Sequence, residues 1–108
     1  MAMEVINMKE AVNNTSVRGA RIKGGCVCLA PGKNIGTHTT GGGEEILLVL
    51  DGEATVTANG EAKTLKKDEC VLLPQETVHD VANRTDSHLI YVYFVGGKQQ
   101  GMNSKGSK

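Results

Sequence analysis

Gly32-Lys-Asn-Ile-Gly-Thr-His38-Thr-Thr40-Gly-Gly-Gly-Glu44-Glu45-Ile-Leu-Leu-Val-Leu-Asp-Gly52 sets a histidine and a glutamate beside turn residues and a β-rich run. Downstream, Pro74-Gln-Glu-Thr-Val-His79-Asp-Val-Ala-Asn83 supplies a second histidine in the same kind of setting. Two imidazoles and a carboxylate carried on separate extended segments are what a hard-to-borderline divalent ion needs if the segments converge. The stretch therefore reads as part of a metal-binding β-barrel.

Working outward, little of the chain has a helical period, and short β-rich runs recur between turn signals, as in an all-β sandwich or barrel. Arg21 to Ala30 reads as a strand ended by Pro31-Gly32, and Ile46 to Leu50 as an apolar strand buried on both faces and turned by Asp51-Gly52. Glu53 to Ala58 and Glu61 to Leu65 flank Asn59-Gly60, a strong hairpin signal because both central residues of a tight turn need positive φ. Glu69 to Leu73 is a strand closed by Pro74, which cannot donate to a ladder. His88 to Val95 is apolar throughout, so it requires cover on both faces, and a second copy of the chain is one way to supply it. Met3 to Val12 fits a short edge strand or a helical turn equally well.

The 108 residues are one domain's worth of chain, expected over 1–97, with a loose tail over 98–108 that has no core-forming pattern. Twelve basic residues balance twelve acidic ones without long runs of either sign, which leaves no electrostatic footprint for nucleic acid or an anionic membrane. No apolar run is long enough to span a bilayer and the start lacks the pattern of a signal peptide, so a cytoplasmic protein with a small-molecule partner is expected. Three cysteines, Cys26, Cys28 and Cys70, disfavour a disulfide framework, and Cys26 and Cys28 read as small buried residues on one strand face.

The spacing of the two stretches resembles the two motifs of the cupin family. Against G-x5-H-x-H-x(3,4)-E-x6-G the chain gives Gly32, His38, Thr40, Glu45 and Gly52, with Thr40 in place of the second histidine. Against G-x5-P-x-G-x2-H-x3-N, spanning 68–83, it gives Asp68, Pro74, Glu76, His79 and Asn83, with both glycines replaced. The resemblance implies a double-stranded β-helix, a jelly-roll-like barrel of six to eight strands. His38, Glu45 and His79 would then be ligands of one divalent ion (Fe, Mn, Zn, Ni or Co), with Thr40 beside them offering its hydroxyl to a bound water. Two histidines and a carboxylate with open positions resemble the site of non-haem iron oxygenases. With zinc, the same set would lower the pKa of a bound water to about 7.

Bland readings apply to the remaining candidates. His88 has no motif around it, Glu44 faces solvent because adjacent strand residues point apart, and Gly41-Gly-Gly43 is followed by no helix that would make it a phosphate cradle. Tyr91 and Tyr93 either pack the core or a subunit contact or line the pocket. The expectation is a small homodimeric cupin that binds or transforms a small polar metabolite, in the manner of a dioxygenase or isomerase, with Glu45 the best candidate for a catalytic group. The alternative is a non-catalytic binding or sensor module of the same fold.

Overall fold

The structure, a computed structural model, describes residues 2–97. It contains nine strands: β1 (Thr15–Arg18), β2 (Ile22–Leu29), β3 (His38–Thr39), β4 (Glu44–Asp51), β5 (Ala54–Ala58), β6 (Glu61–Leu65), β7 (Cys70–Leu73), β8 (Val78–Ala82) and β9 (Leu89–Gly96). The tail expected to be loose, 98–108, lies outside the described residues. Among the described residues there is no α-helix, and none is long and apolar enough to cross a membrane.

All pairings are antiparallel and fall into two sheets, β1-β2-β9-β4-β7 and β3-β8-β5-β6. Local chemistry explains the anchors of this topology. Asn59 and Gly60 take φ of 53° and 77° and place Ala58 opposite Glu61, which is the tight hairpin their sequence requires. Gly52 turns β4 into β5 at φ 86°, and a Cβ there would stand 2.5 Å from the His88 carbonyl oxygen, so both conformation and space demand glycine. Pro74 ends β7 as expected.

The sheets enclose a core of Val27, Leu29, Leu47, Val49, Val56, Leu65, Leu73, Val81, Leu89 and Tyr91. Burying such side chains stabilises the fold by about 1.5–3 kcal/mol each. In β4 only the alternate residues Glu45, Leu47 and Val49 are buried, while Ile46 on the opposite face is 42% exposed. Full burial of Ile46 to Leu50 is thus corrected to burial on one face. β9 follows the same rule less sharply, with Leu89, Tyr91 and Val92 buried and Ile90 and Phe94 partly so. The continuous apolar runs arise because the outer face of the five-stranded sheet is itself apolar: Leu72 at its edge is 62% exposed.

Neither reading of Met3 to Val12 as a regular element is complete. Residues 2–7 have no regular structure, residues 8–13 form turns, and the edge strand begins only at Thr15. Cys26 is fully buried and Cys28 partly so on the same face of β2, and burial pushes the Cys26 thiol up, away from the reactive thiolate.

Candidate metal centre

His38 on β3 lies directly opposite His79 on β8, so the pleat sends both imidazoles to the same face, with ring centroids 4.2 Å apart. Glu45 reaches them from β4 in the other sheet and brings Oε1 to 3.2 Å from His79 Nε2. One donor atom from each of the three residues lies within 4.8 Å of the others, and among the described residues no other His, Cys, Asp or Glu group of this kind exists. Glu45 and His79 are buried and His38 is exposed, which leaves one side of the cluster open. Glu44, one residue from Glu45, faces outward, and His88 is exposed just before β9.

Hydrogen bonds assign the tautomers. His79 Nδ1 is 3.0 Å from the Thr77 carbonyl oxygen and His38 Nδ1 is 2.8 Å from that of Gly36. A carbonyl can only accept, so both Nδ1 atoms carry a proton, and in the neutral imidazole each Nε2 then presents a lone pair. This is the backbone support that orients metal-ligating histidines. His79 Nε2 is buried without a hydrogen-bond partner although a carboxylate oxygen stands 3.2 Å away. Two lone-pair-bearing atoms held at that distance need a positive centre between them, a proton or a cation. Burial pushes the Glu45 carboxyl up, and the two imidazoles offset this only in part. Donors on one ion with bonds of about 2.0–2.2 Å stand up to ~4.4 Å apart, so the cluster fits a divalent ion with little adjustment.

Thr40 is placed for a different task from the one its motif position suggests. It is buried, its hydroxyl donates to the Pro74 carbonyl at 2.7 Å and accepts from the Thr77 amide at 3.0 Å. Its single proton is spent on the 74–77 turn, so it holds no donor for a ligand's water. Thr77 in turn carries the carbonyl that fixes His79, which makes Thr40 a support of the second imidazole.

Two supporting roles were not legible in the sequence. Asp80 accepts from the Gly36 amide and the Asn34 side chain, both at 2.9 Å, and so positions the loop whose Gly36 carbonyl holds His38. The two ends of that link are 44 residues apart, and Asp80 next to His79 gave no signal beyond proximity to the motif. Asn83 is buried, donating to the Leu29 and Ser87 carbonyls and accepting from Thr85, so the asparagine of the second motif closes the loop before β9.

A cavity of about 440 Å³ opens beside the cluster, lined by His38 and Glu45 together with Lys23, Val27, Tyr91 and Tyr93 among others. Both tyrosines therefore face the pocket. Tyr91 is 2% exposed, and burial followed by the charge of Glu45 pushes its hydroxyl well up, so it remains a neutral donor.

The sequence profile of the cupin domain matches residues 25–95. Among solved structures, the chain is similar to an uncharacterized conserved protein with a double-stranded β-helix domain from Klebsiella pneumoniae, at 20% identity over 93% of this chain and 95% of that one, TM-score 0.80. It is also similar to a protein from Thermus thermophilus (22% identity, 87% and 97% covered, TM-score 0.76). A third likeness is to the cupin domain of an XRE family transcriptional regulator from Enterobacter cloacae (22%, 73% and 84%, TM-score 0.67). No curated protein matches the chain.

Proposed function

The chain belongs to the cupin family, and from that premise we propose that it holds one divalent metal ion on His38, Glu45 and His79 and binds or transforms a small polar metabolite in the adjoining cavity. The observation that carries this reading is the buried Nε2 of His79, which lacks a hydrogen bond while facing the carboxylate of Glu45. When bound, such an ion supplies Lewis acidity toward an oxygen of the ligand. The chain's own part is to hold the three donors. The Gly36 and Thr77 carbonyls fix the imidazole protons at Nδ1, Thr40 and Asp80 fix those carbonyls, and the exposed side of His38 leaves the ligand a way in.

A second reading, a binding or sensor module without turnover, draws on one further observation. Among the described residues Glu45 is the only carboxylate lining the cavity, so committing it to the ion leaves no carboxylate there to act as a general base. Oxygen consumption and product analysis with diketones, phenols and thiols separate the two. A second copy of the chain covering the apolar outer face of the five-stranded sheet completes the proposal.

Metal content after supply of a divalent ion, measured by elemental analysis, tests the site. The parent is expected to carry one ion per chain, His38→Ala and His79→Ala to lose most of it, and Thr40→Ala to keep it while losing about 1–3 kcal/mol of stability through the orphaned Thr77 amide and Pro74 carbonyl. Full loading of both histidine variants, or none of the parent, would overturn the site.

A further inference from the structure

Lys23 is the one cationic group of the cavity, among the described residues, and the metal reading leaves it without a task. On β2 it lies opposite Val95, and Val95 on β9 lies opposite Glu45 on β4, so the pleat puts Lys23, Val95 and Glu45 in one row on the inner face. Arg18 extends this row on β1, opposite Lys23. Among the described residues the Lys23 side chain makes no ion pair or hydrogen bond, and it is near enough to Glu45 to act on its carboxyl. Lys23 and Glu45 are the only Lys, Arg, Asp or Glu residues among them that line the cavity.

Two more polar groups line the same cavity. Tyr91 is buried, its hydroxyl has no hydrogen-bond partner among the described residues, and it lies within electrostatic reach of Glu45. The Tyr93 hydroxyl is 3.3 Å from that of Thr15 on the same wall. A cavity with an anionic metal-ligand end, a cation two strands away and neutral tyrosine hydroxyls on its wall is asymmetric in a way that selects one orientation of a ligand.

We infer that the cavity takes a small organic acid that offers oxygen donors at one end and a free carboxylate at the other, the carboxylate pairing with Lys23. The inference rests on the metal reading, because the donor end is oriented toward the ion on His38, Glu45 and His79. Adjacent strands are about 4.8 Å apart, so Lys23 and Glu45 are separated by about 10 Å at the backbone, and two inward side chains leave room for a chain of about four carbons. A lysine ammonium binds a carboxylate through charge-assisted hydrogen bonds, a preference that a neutral end group does not share.

Malate and 2-hydroxybutyrate test this directly, because they share the 2-hydroxy acid end and differ in that the distal carboxylate of one is a methyl group in the other. Calorimetric titration of the metal-loaded protein at low salt is expected to give malate about fivefold the affinity of 2-hydroxybutyrate, the size of an exposed ion pair of ~1 kcal/mol. Lys23→Gln is expected to remove that ratio at unchanged metal content, and Lys23→Arg to keep it. Equal affinities in the parent, absence of binding by either acid, or a ratio that survives in Lys23→Gln would overturn the inference while leaving the metal site standing. Failure of the parent to load metal in the elemental analysis overturns the metal reading and this inference with it.

Discussion

At the scale of single residues, the departures from the cupin motifs carry the most physics. Asp68 and Glu76 stand where the second motif has glycines, and both keep the backbone that glycine would give, at φ 71° and 55°. The left-handed conformation costs an ordinary residue about 1–2 kcal/mol, and glycine's added freedom when unfolded costs roughly 0.5–1 kcal/mol. Glu76 is exposed and its only described hydrogen bond is its amide to the Gly41 carbonyl, so its side chain offsets none of this. Glu76→Gly is therefore expected to raise stability by a few tenths to about 1 kcal/mol, read as an increase of several degrees in the thermal midpoint. A lower midpoint would show that the Glu76 side chain has a favourable role. The positions of His38, Glu45 and His79 were legible because they stand at the spacing of the family motifs; the two histidines share a register, and Glu45 meets them from the other sheet. The use of Thr40 was not, since its partners, Pro74 and Thr77, are brought to it only by the closure of β3 on the following turn.

At the scale of elements, the hairpin and the strands β2, β4, β7 and β9 were legible because their signals are local. Asn59-Gly60 needs nothing beyond two positive φ angles, and Pro74 ends a ladder by chemistry alone. β1 and β3 were not, because a four-residue edge and a two-residue pair are defined by their partners, and Thr15–Arg18 has no alternation of its own. The apolar runs of β4 and β9 mislead in one respect: length without alternation suggests burial on both faces, whereas Ile46 and Leu72 remain exposed on the outer face. An apolar sheet face of this kind is the surface that the proposed dimer would bury. Ile46→Asp and Leu72→Asp, at positions exposed enough for the fold to accept a charge, are expected to convert a dimer to a monomer in light scattering without loss of the β spectrum. A parent that is already a monomer at high concentration would remove the dimer from the proposal.

At the scale of the whole molecule, the cluster joins the two sheets, since Glu45 belongs to the five-stranded sheet and both histidines to the four-stranded one. An ion bound there is a cross-link that only the folded state possesses, so at a hundredfold excess over its Kd it stabilises by about 2.7 kcal/mol. The sign of the pH dependence follows from Glu45. Its folded pKa is raised, so without metal it favours the fold below the ordinary carboxylate range and that contribution is lost as pH rises through the folded value. Metal binding needs the proton gone, so the stabilisation by metal grows over the same range in which the metal-free protein weakens. Glu45→Gln separates the two effects. The amide carries no charge to bury, and its N–H group can donate to the lone pair of His79 Nε2, which now lacks a partner. The metal-free variant is therefore expected to exceed the metal-free parent by about 1–2 kcal/mol at pH 7.5, with little difference near pH 4, while gaining no thermal shift from added metal. A variant less stable than the parent at pH 7.5 without metal would mean that the Glu45 carboxylate and His79 already satisfy each other through a shared proton, and that the cluster is built for that proton rather than for an ion.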